Sequence, residues 1–379
     1  MTLLKRFHLA FGPILFLGQT ACSDEPGPTP PAEAEGPRYA IGSSVFNADF
    51  TSQDFFVTFA DELDGGEIDL EGAIPFSGGG TLWGVAGAAE FYVVGAERQT
   101  VSKFGFEDGV PVPLGEVGLG GEGVRTLLGE AMVFDGPDRA YLVDPLSAQA
   151  IELDLAAMEV VRSIDISSWL DSTQDTFVGF PPVLPRDDEV VLFTHANDFV
   201  ADTVSLEPSK LVFFDPSNGA FETVDAPCAG LRYATTLDNG DLLFSADPRV
   251  ASIWAIDDTR SPAPCMVRLA AGSRTPEVEA VDLTSIAGGR PAGGLVPTGD
   301  DGLYLRVLDT DQFPLDAGFT ARELFGLPAW ETWQINLASP NEAAPVDRPL
   351  LPGGITFFDV DGTIYESVAT PDFASSTLF

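Results

Sequence analysis

The sequence predicts an all-β fold, a β-propeller of about seven four-stranded antiparallel blades in which the first and last blades are incomplete. Short runs rich in β-branched and aromatic residues recur along the chain, and turns of Gly, Asp, Asn and Pro separate them. No long stretch with helical period intervenes. The strands recur in groups of four, about every 40 to 60 residues, which is typical of propellers.

The clearest recurring unit is a strand, a tight acidic turn and a second strand, as in AMVFDGPDRAYLVD, ATTLDNGDLLFSA and ITFFDVDGTIYES. Asn-Gly and Asp-Gly at the tips supply the positive φ angles that tight hairpins need. Third strands such as KLVFFDPSNG and fourth strands such as VVRSIDI follow. Five complete repeats are predicted, at residues 81–121, 122–168, 175–228, 229–284 and 287–350.

The two ends of the chain give partial blades. Residues 39–78 contain three strands and lack the inner one, whereas residues 353–379 contain an inner strand, a second and the start of a third. The sequence therefore leaves open whether the ring closes and whether it has six or seven blades.

The first 21 residues have the layout of a bacterial export signal. Lys5 and Arg6 precede an apolar stretch that is too short to span a bilayer, and small or polar residues then lead to Cys22. This arrangement resembles the lipobox of bacterial lipoproteins, in which the cysteine becomes the acylated first residue. An ordinary cleaved signal with an incidental cysteine is the alternative.

Three regions are therefore predicted: a lipoprotein signal peptide at residues 1–21, lipidated Cys22 with a Pro- and acid-rich spacer to residue 38, and a propeller domain at 39–379. Two acyl chains anchor a protein stably, and a proline-rich acidic spacer stays extended and solvated. We expect the protein in the cell envelope, attached to the outer membrane through its acyl anchor.

Charge excludes some partners. The full chain carries 58 acidic and 19 basic residues, a formal net charge of −39. Such a surface repels phosphate backbones and anionic headgroups, so neither nucleic-acid binding nor membrane binding through basic patches is expected.

In an exported protein Cys228 and Cys265 are expected to form a disulfide, and two buried thiols are the alternative.

The domain resembles a known group. The segments YAIGSSVFNADFTSQ, CMVRLAAGSRT, DLTSIAGGRPAGGLVPTGDDGLYLRVLD and ETWQINL are similar to those of bacterial lipoprotein propellers encoded beside myxochelin-type siderophore genes and implicated in iron uptake. The likeness covers residues 39–379 and its motifs build blades. It implies a propeller fold and a setting in siderophore-mediated iron uptake.

Motifs for catalysis are sparse. His195 is the one histidine of the predicted mature chain and follows a strand, so a satisfied loop residue is expected before a general base. Gly118, Gly120 and Gly123 match GxGxxG, but strands surround them and no helix follows, which indicates a loop between blades. The sequence contains no GxSxG elbow, no CxxC pair and no multi-histidine metal motif.

No cofactor is predicted. The acidic turns TGDDG (Asp300, Asp301) and DVDGT (Asp359, Asp361) offer oxygen ligands of the kind that calcium binds. Neither turn has EF-hand spacing, and hairpin chemistry accounts for both.

Three arginines precede predicted innermost strands: Arg125, Arg232 and Arg290. The connections into those strands run toward the central channel, so three guanidinium groups there would form a site for an anionic ligand. The alternative is that each arginine pairs with neighbouring acids and holds the blades together.

An insertion in the sixth repeat offers a second candidate site. Its sequence DTDQFPLDAGFTARELFGLPAWETW contains a short helix with Thr320 as cap and Glu323 at the third position. Phe319, Phe325 and Trp330, with Leu324 and Leu327, are predicted to be exposed for a partner in the envelope. Packing over the blade edge is the alternative.

Two classes of function follow. The first is a lipid-anchored binding or scaffold protein for an anionic small ligand or an envelope protein, accessory to siderophore-mediated iron uptake. The second is an extracytoplasmic enzyme of the hydrolase or lactonase type, because propellers host both. The scarcity of histidine and of recognisable nucleophiles favours the binding protein.

Overall fold

The computed structural model describes residues 39–46, 53–63, 72–84, 90–95, 99–124, 131–198, 201–278, 280–298, 302–336, 339–360, 363–369 and 376–378. Seven antiparallel sheets follow one another along this part of the chain. The first and last have three strands, which confirms the predicted propeller with incomplete end blades. The predicted signal, Cys22, the spacer, Arg125, Asp300, Asp301 and Asp361 lie outside the described residues.

The blades are numbered in chain order. Blade 1 contains β1–β3 (Tyr39–Phe46, Gln53–Ala60, Ile74–Ser77), and blade 2 contains β4–β7 (Gly80–Gly84, Glu90–Gly95, Thr100–Glu107, Val110–Gly118). Blade 3 contains β8–β11 (Ala131–Phe134, Arg139–Asp144, Gln149–Asp154, Glu159–Asp165). Blade 4 contains β12–β17 (Thr176–Val178, Leu184–Arg186, Glu189–Asp198, Thr203–Val204, Lys210–Asp215, Ala220–Asp225).

The remaining blades carry the helices. Blade 5 contains β18–β21 (Leu231–Thr236, Leu242–Ala246, Cys265–Leu269, Val281–Asp282), with α1 (Pro248–Ile256) between its second and third strands. Helix α2 (Leu283–Ile286) leads into blade 6, β22–β25 (Ala292–Pro297, Leu303–Leu308, Trp330–Asn336, Ser339–Pro345), which holds α3 (Ala321–Gly326). Blade 7 contains β26–β28 (Thr356–Val360, Thr363–Ala369, Ser376–Leu378).

The predicted turns form where the glycines allow them. Gly240, in the Asn-Gly of the turn that joins β18 to β19, has φ 81°. That conformation strains residues with a Cβ and suits glycine. The GLGGEG segment runs from the end of β7 into a single 3-10 turn (Gly120–Glu122) between blades 2 and 3, as expected for a connecting loop.

Aromatic side chains pack between the faces of neighbouring sheets, with their rings edge to face. Tyr141 packs on Phe214 between blades 3 and 4, with ring centroids 5.0 Å apart, and Phe193 packs on Phe244 between blades 4 and 5, at 5.2 Å. All five residues of β19 are buried, because this strand has a neighbouring blade on each side.

Blade 4 has an irregular inner strand that the sequence does not predict. Both β12 and β13 pair with β14, and Phe180 lies in the break between them. Its backbone N–H donates to Arg232 O over 2.7 Å, and its carbonyl accepts from Ala234 N over 2.8 Å. The break therefore lets blade 4 hydrogen-bond directly to β18 of blade 5.

The first and last blades meet. The hydroxyl of Tyr365 on β27 donates to the carbonyl of Leu63, which follows β2, over 3.2 Å. A contact between residues 302 positions apart places blade 7 beside blade 1.

The predicted disulfide between Cys228 and Cys265 is present, and it links residues 37 positions apart. Cys228 lies in the connection from blade 4 to blade 5, and Cys265 begins β20. A crosslink over such a loop stabilises a fold by about 2–4 kcal/mol. Among the described residues no helix has the length and apolarity to cross a bilayer.

Candidate functional site

One face of the propeller carries the long connections. Strand direction alternates within a blade, so the loops from second to third strands and the connections between blades emerge on the same side, here called the upper face. In blades 4, 5 and 6 the loops at 201–209, 247–264 and 309–329 form a cap over this face. Val250 and Ile253 of α1 pack between Val204 of blade 4 and Ala321 of α3.

Arg232 lies beneath the cap and is bound to a buried acid. Its Nη1 donates to Asp247 Oδ2 over 3.0 Å, and its guanidinium lies 5.8 Å from the Tyr233 ring centroid. Asp247 is 1 % exposed and accepts from Val250 N over 2.7 Å as the cap of α1. Arg232 thus helps to hold α1 on the inner strand of blade 5.

Arg290 is bound within blade 6. Its Nε and Nη2 donate to Leu308 O over 2.9 and 2.7 Å, and its Nη1 donates to Glu331 Oε2 over 2.9 Å. The guanidinium also lies 5.5 Å from the Trp333 ring centroid. Because Glu331 and Trp333 lie on the third strand, these contacts draw Arg290 toward the outer half of its blade.

Each of the two described arginines is therefore paired with its own acid. Arg232 is held in blade 5 and Arg290 in blade 6, each by its own acid, as the alternative interpretation expects. Arg125 lies outside the described residues, and binding of an anionic ligand by these three residues stays a prediction.

Aromatic side chains fill part of the axis. Phe180 of blade 4 and Phe357 of blade 7 pack edge to face, with ring centroids 5.5 Å apart. The Tyr233 hydroxyl accepts from Ile355 N over 3.3 Å. Residues on or beside the inner strands of blades 4, 5 and 7 thus touch, in the region where the sequence predicts the central channel.

A second buried ion pair joins blade 5 to blade 4. Arg249 of α1 is 1 % exposed, and its Nε and Nη2 donate to Asp202 Oδ1 over 3.1 and 2.9 Å. Its Nη1 donates to Asn197 Oδ1 over 3.3 Å. Under the cap, Asp247 therefore neutralises Arg232, and Asp202 neutralises Arg249.

His195 lies in this polar layer, within strand β14 rather than in the expected loop, and is 3 % exposed. Among the residues that the structure describes, neither ring nitrogen has a hydrogen-bond partner at normal geometry. Desolvation lowers the pKa of His195 to about 3, although the nearby Asp247 carboxylate acts in the opposite direction. The ring is therefore neutral at physiological pH and is closed off from solvent.

This burial predicts a pH effect on stability. The unfolded chain binds a proton at His195 below pH 6.5, while the folded chain does so only near pH 3. The stability due to the neutral ring is complete above pH 6.5 and is lost as the pH falls toward 3. Between pH 7 and 5 the wild type should lose about 2 kcal/mol more of its unfolding free energy than His195→Gln.

Urea unfolding of both proteins across this pH range measures the difference. Carboxylates titrate equally in the two proteins and cancel, so parallel pH profiles would contradict the assignment. NMR of the predicted mature chain gives a second measurement, because His195 is its one histidine. Its imidazole resonance should not titrate between pH 5 and 8.

The insertion in blade 6 packs onto the molecule. Its helix has the expected capping box, in which Thr320 and Glu323 each bind the other's backbone N–H. Trp330 is fully buried, and its Nε1 donates to Leu324 O over 2.9 Å. The predicted exposure of Trp330 and Leu324 is wrong, because both side chains complete the core beneath α3.

Phe319 and Phe325 are half-buried, and Phe319 packs against that core with its ring centroid 6.0 Å from that of Phe313. Leu327 is half-buried against the same core. At Trp330 the insertion packs over the blade edge, as the alternative interpretation expects. A partner role for Phe319 and Phe325 stays a prediction.

A groove on the upper face surrounds the disulfide, between the cap loops of blades 4 and 5. It has a volume of about 490 Å³ and is open to solvent. This disulfide groove is lined by Leu206, Pro208, Ala226, Pro227, Cys228, Ala229, Pro262, Ala263, Pro264, Cys265, Ala280 and Asp282. The sequence analysis missed it, although prolines flank both cysteines in DAPCAG and SPAPC.

Metal binding has no visible site in the described part of the chain, where no three His, Cys, Asp or Glu side chains converge. Asp359 lies in β26, one residue before the strand ends, and its predicted turn partner Asp361 is outside the described residues.

The fold is similar to solved propellers at low sequence identity. A protein from Bacteroides fragilis assigned as a 6-phosphogluconolactonase has a TM-score of 0.50 and 11% identity, with 92% of each chain covered. The WD40 domain of Pan2 from Neurospora crassa has a TM-score of 0.50 and 10% identity, with 97% of this chain and 88% of that chain covered.

Dihydro-heme d1 dehydrogenase NirN, solved in complex with DHE, has a TM-score of 0.50 and 10% identity. The match covers 83% of this chain and 55% of that one, so the present chain spans little more than half its length. No protein-family model and no curated protein matches the chain. These likenesses show a propeller fold, and a shared fold does not assign an activity.

Proposed function

We propose that the protein is a lipid-anchored propeller of the bacterial outer membrane that acts as a binding or scaffold protein, accessory to siderophore-mediated iron uptake. The layout of the first 22 residues supports the anchor. The resemblance of residues 39–379 to lipoprotein propellers encoded beside siderophore genes supports the iron setting.

One observation favours a binding role for this protein over a catalytic role. Under the cap, His195 and Asp247 are buried, the side chain of Asp202 is 14 % exposed, and both carboxylates are bound to arginines. A general acid or base must reach its substrate, and His195 and Asp247 do not face solvent, while the Asp202 carboxylate is held by Arg249. The disulfide groove, in contrast, is open to solvent and mostly apolar, a lining typical of recognition.

Removing the anchor tests the proposal in the native host. In a strain lacking the gene, uptake of a radiolabelled ferric siderophore under iron limitation should fall, and the wild-type gene should restore it. Cys22→Ala should not restore it, because the unacylated protein leaves the membrane fraction. Ser23→Ala is the matched control and should restore uptake fully.

Two results would contradict this proposal: unchanged uptake in the deletion strain, or a Cys22→Ala protein that stays in the membrane fraction and restores uptake. Mass measurement of the native protein tests acylation directly.

An extracytoplasmic lactonase or hydrolase is the second candidate, because the fold is shared with a protein assigned as a 6-phosphogluconolactonase. Calcium-dependent hydrolysis of a sugar lactone by the purified protein would favour it over the binding protein.

A further inference from the structure

We propose that the disulfide groove is a docking site for an extended apolar segment of a partner protein that carries basic residues on both sides. The inference rests on the proposed scaffold function and names the chemistry of the partner.

The groove is an apolar surface in a strongly acidic protein. Asp282 is the one ionisable group among its twelve lining residues, in a chain with 58 acids. Leu206 is 62 % exposed at its edge, and Val281, which adjoins the lining residue Asp282 on β21, is 36 % exposed. Contiguous apolar surface of this kind, rimmed by polar residues, marks interaction sites.

The groove is also rigid before anything binds. Four of its lining residues are prolines, and the Cys228–Cys265 disulfide forms part of its wall. A surface with few freely rotating groups loses little conformational entropy on binding, so more of the free energy of burial appears as affinity.

Charge around the groove determines which occupant fits. Glu207, Asp225 and Asp282 are exposed on its rim. The four lining segments, 206–208, 226–229, 262–265 and 280–282, contain no lysine or arginine. Lys210 lies nearby and pairs with Asp225, so these two charges cancel, and Glu207 and Asp282 give the rim its acidic character.

An acidic rim favours a partner with lysine or arginine beside its apolar residues. Anionic lipid headgroups would be repelled by the same rim. A second copy of this chain would bring two acidic rims together, and like charges at an interface are costly. These arguments favour a basic-flanked polypeptide over a lipid or a self-dimer.

Three short synthetic peptides serve as probes against the full chain, with fluorescence anisotropy as the measurement. The first has a Leu/Val centre with a lysine pair at each end, the second replaces the lysines by glutamates, and the third replaces the centre by serines. Only the first should bind saturably.

Leu206→Asp should weaken that binding about tenfold or more, since it places a charge on the apolar edge. Leu114→Asp is the matched control, because Leu114 is 51 % exposed on β7 of blade 2, and it should change the affinity less than about twofold.

If the serine-centred peptide bound with the same affinity as the first, the binding would depend on charge alone and not on the apolar centre, and the proposal would be overturned. Absence of binding by the first peptide, or unchanged affinity in Leu206→Asp, would also overturn it. A dimer in light scattering that Leu206→Asp dissociates would assign the groove to a second copy. Iron uptake in the Cys22→Ala strain is measured separately, so the scaffold proposal can stand or fail independently.

Discussion

Glu366→Gln is expected to lower the free energy of unfolding by about 3–5 kcal/mol. The Glu366 carboxylate on β27 of blade 7 binds Arg306 on β23 of blade 6, and both side chains are more than nine-tenths buried. Arg306 also donates to Thr332 Oγ1 within blade 6. Glutamine keeps the shape of the side chain but leaves a buried guanidinium without its counter-charge.

Urea unfolding measures the loss, and two variants make it specific. The double variant Arg306→Met, Glu366→Leu should recover most of the stability, because an apolar pair of similar volume needs no desolvated charge. In the control, Glu222→Gln breaks an exposed ion pair with Arg274 and should cost less than about 1 kcal/mol.

Equal costs for Glu366→Gln and Glu222→Gln would show that the pair between blades 6 and 7 does not stabilise the ring. Because blade 7 also touches blade 1 through Tyr365, loss of this pair should loosen the point at which the ring closes.

Trp330→Ala should cost about 3–5 kcal/mol. The indole is fully buried beside Ala251 of α1 and Leu324 of α3, and the backbone of Trp330 exchanges two hydrogen bonds with Leu351, of 3.0 and 2.9 Å. Its removal leaves a cavity where the cap joins blade 6, and the neighbouring helices can fill such a cavity only in part.

Thermal and urea unfolding measure this effect. Leu114→Ala is the control, since an exposed leucine on blade 2 should change stability by less than about 0.5 kcal/mol. If Trp330 were a partner contact, Trp330→Ala would leave stability unchanged, and that result would overturn the assignment of this residue to the core.

Much of the fold is predictable because its signals are local. Asn-Gly and Asp-Gly turns between alternating apolar strands mark hairpins, and the boundaries of blades 2, 4 and 5 lie close to the predicted repeats. The Cys228–Cys265 disulfide is also predictable, because these are the two cysteines besides Cys22 and they belong to adjoining repeats.

The candidate sites are harder to predict because their signals are not local. Arg232 and Arg290 occupy similar sequence positions, yet one binds Asp247 in the loop after a second strand and the other binds Glu331 on a third strand. His195 follows an apolar run that reads as the end of a strand, but β14 continues to Asp198 and the side chain is buried near the Asp247 carboxylate of the next blade. The disulfide groove combines four segments from two blades, and none of them shows it alone.

The sequence by itself determined the strand pattern, the repeat of four-stranded units and the acidic character of the chain, because each depends on residue type and short-range spacing. Only the tertiary structure decided which charges are neutralised, which aromatic side chains fill the axis and where apolar surface stays open. The physical reason is that ion pairing and burial depend on neighbours from other blades, which the ring brings together from distant positions in the chain.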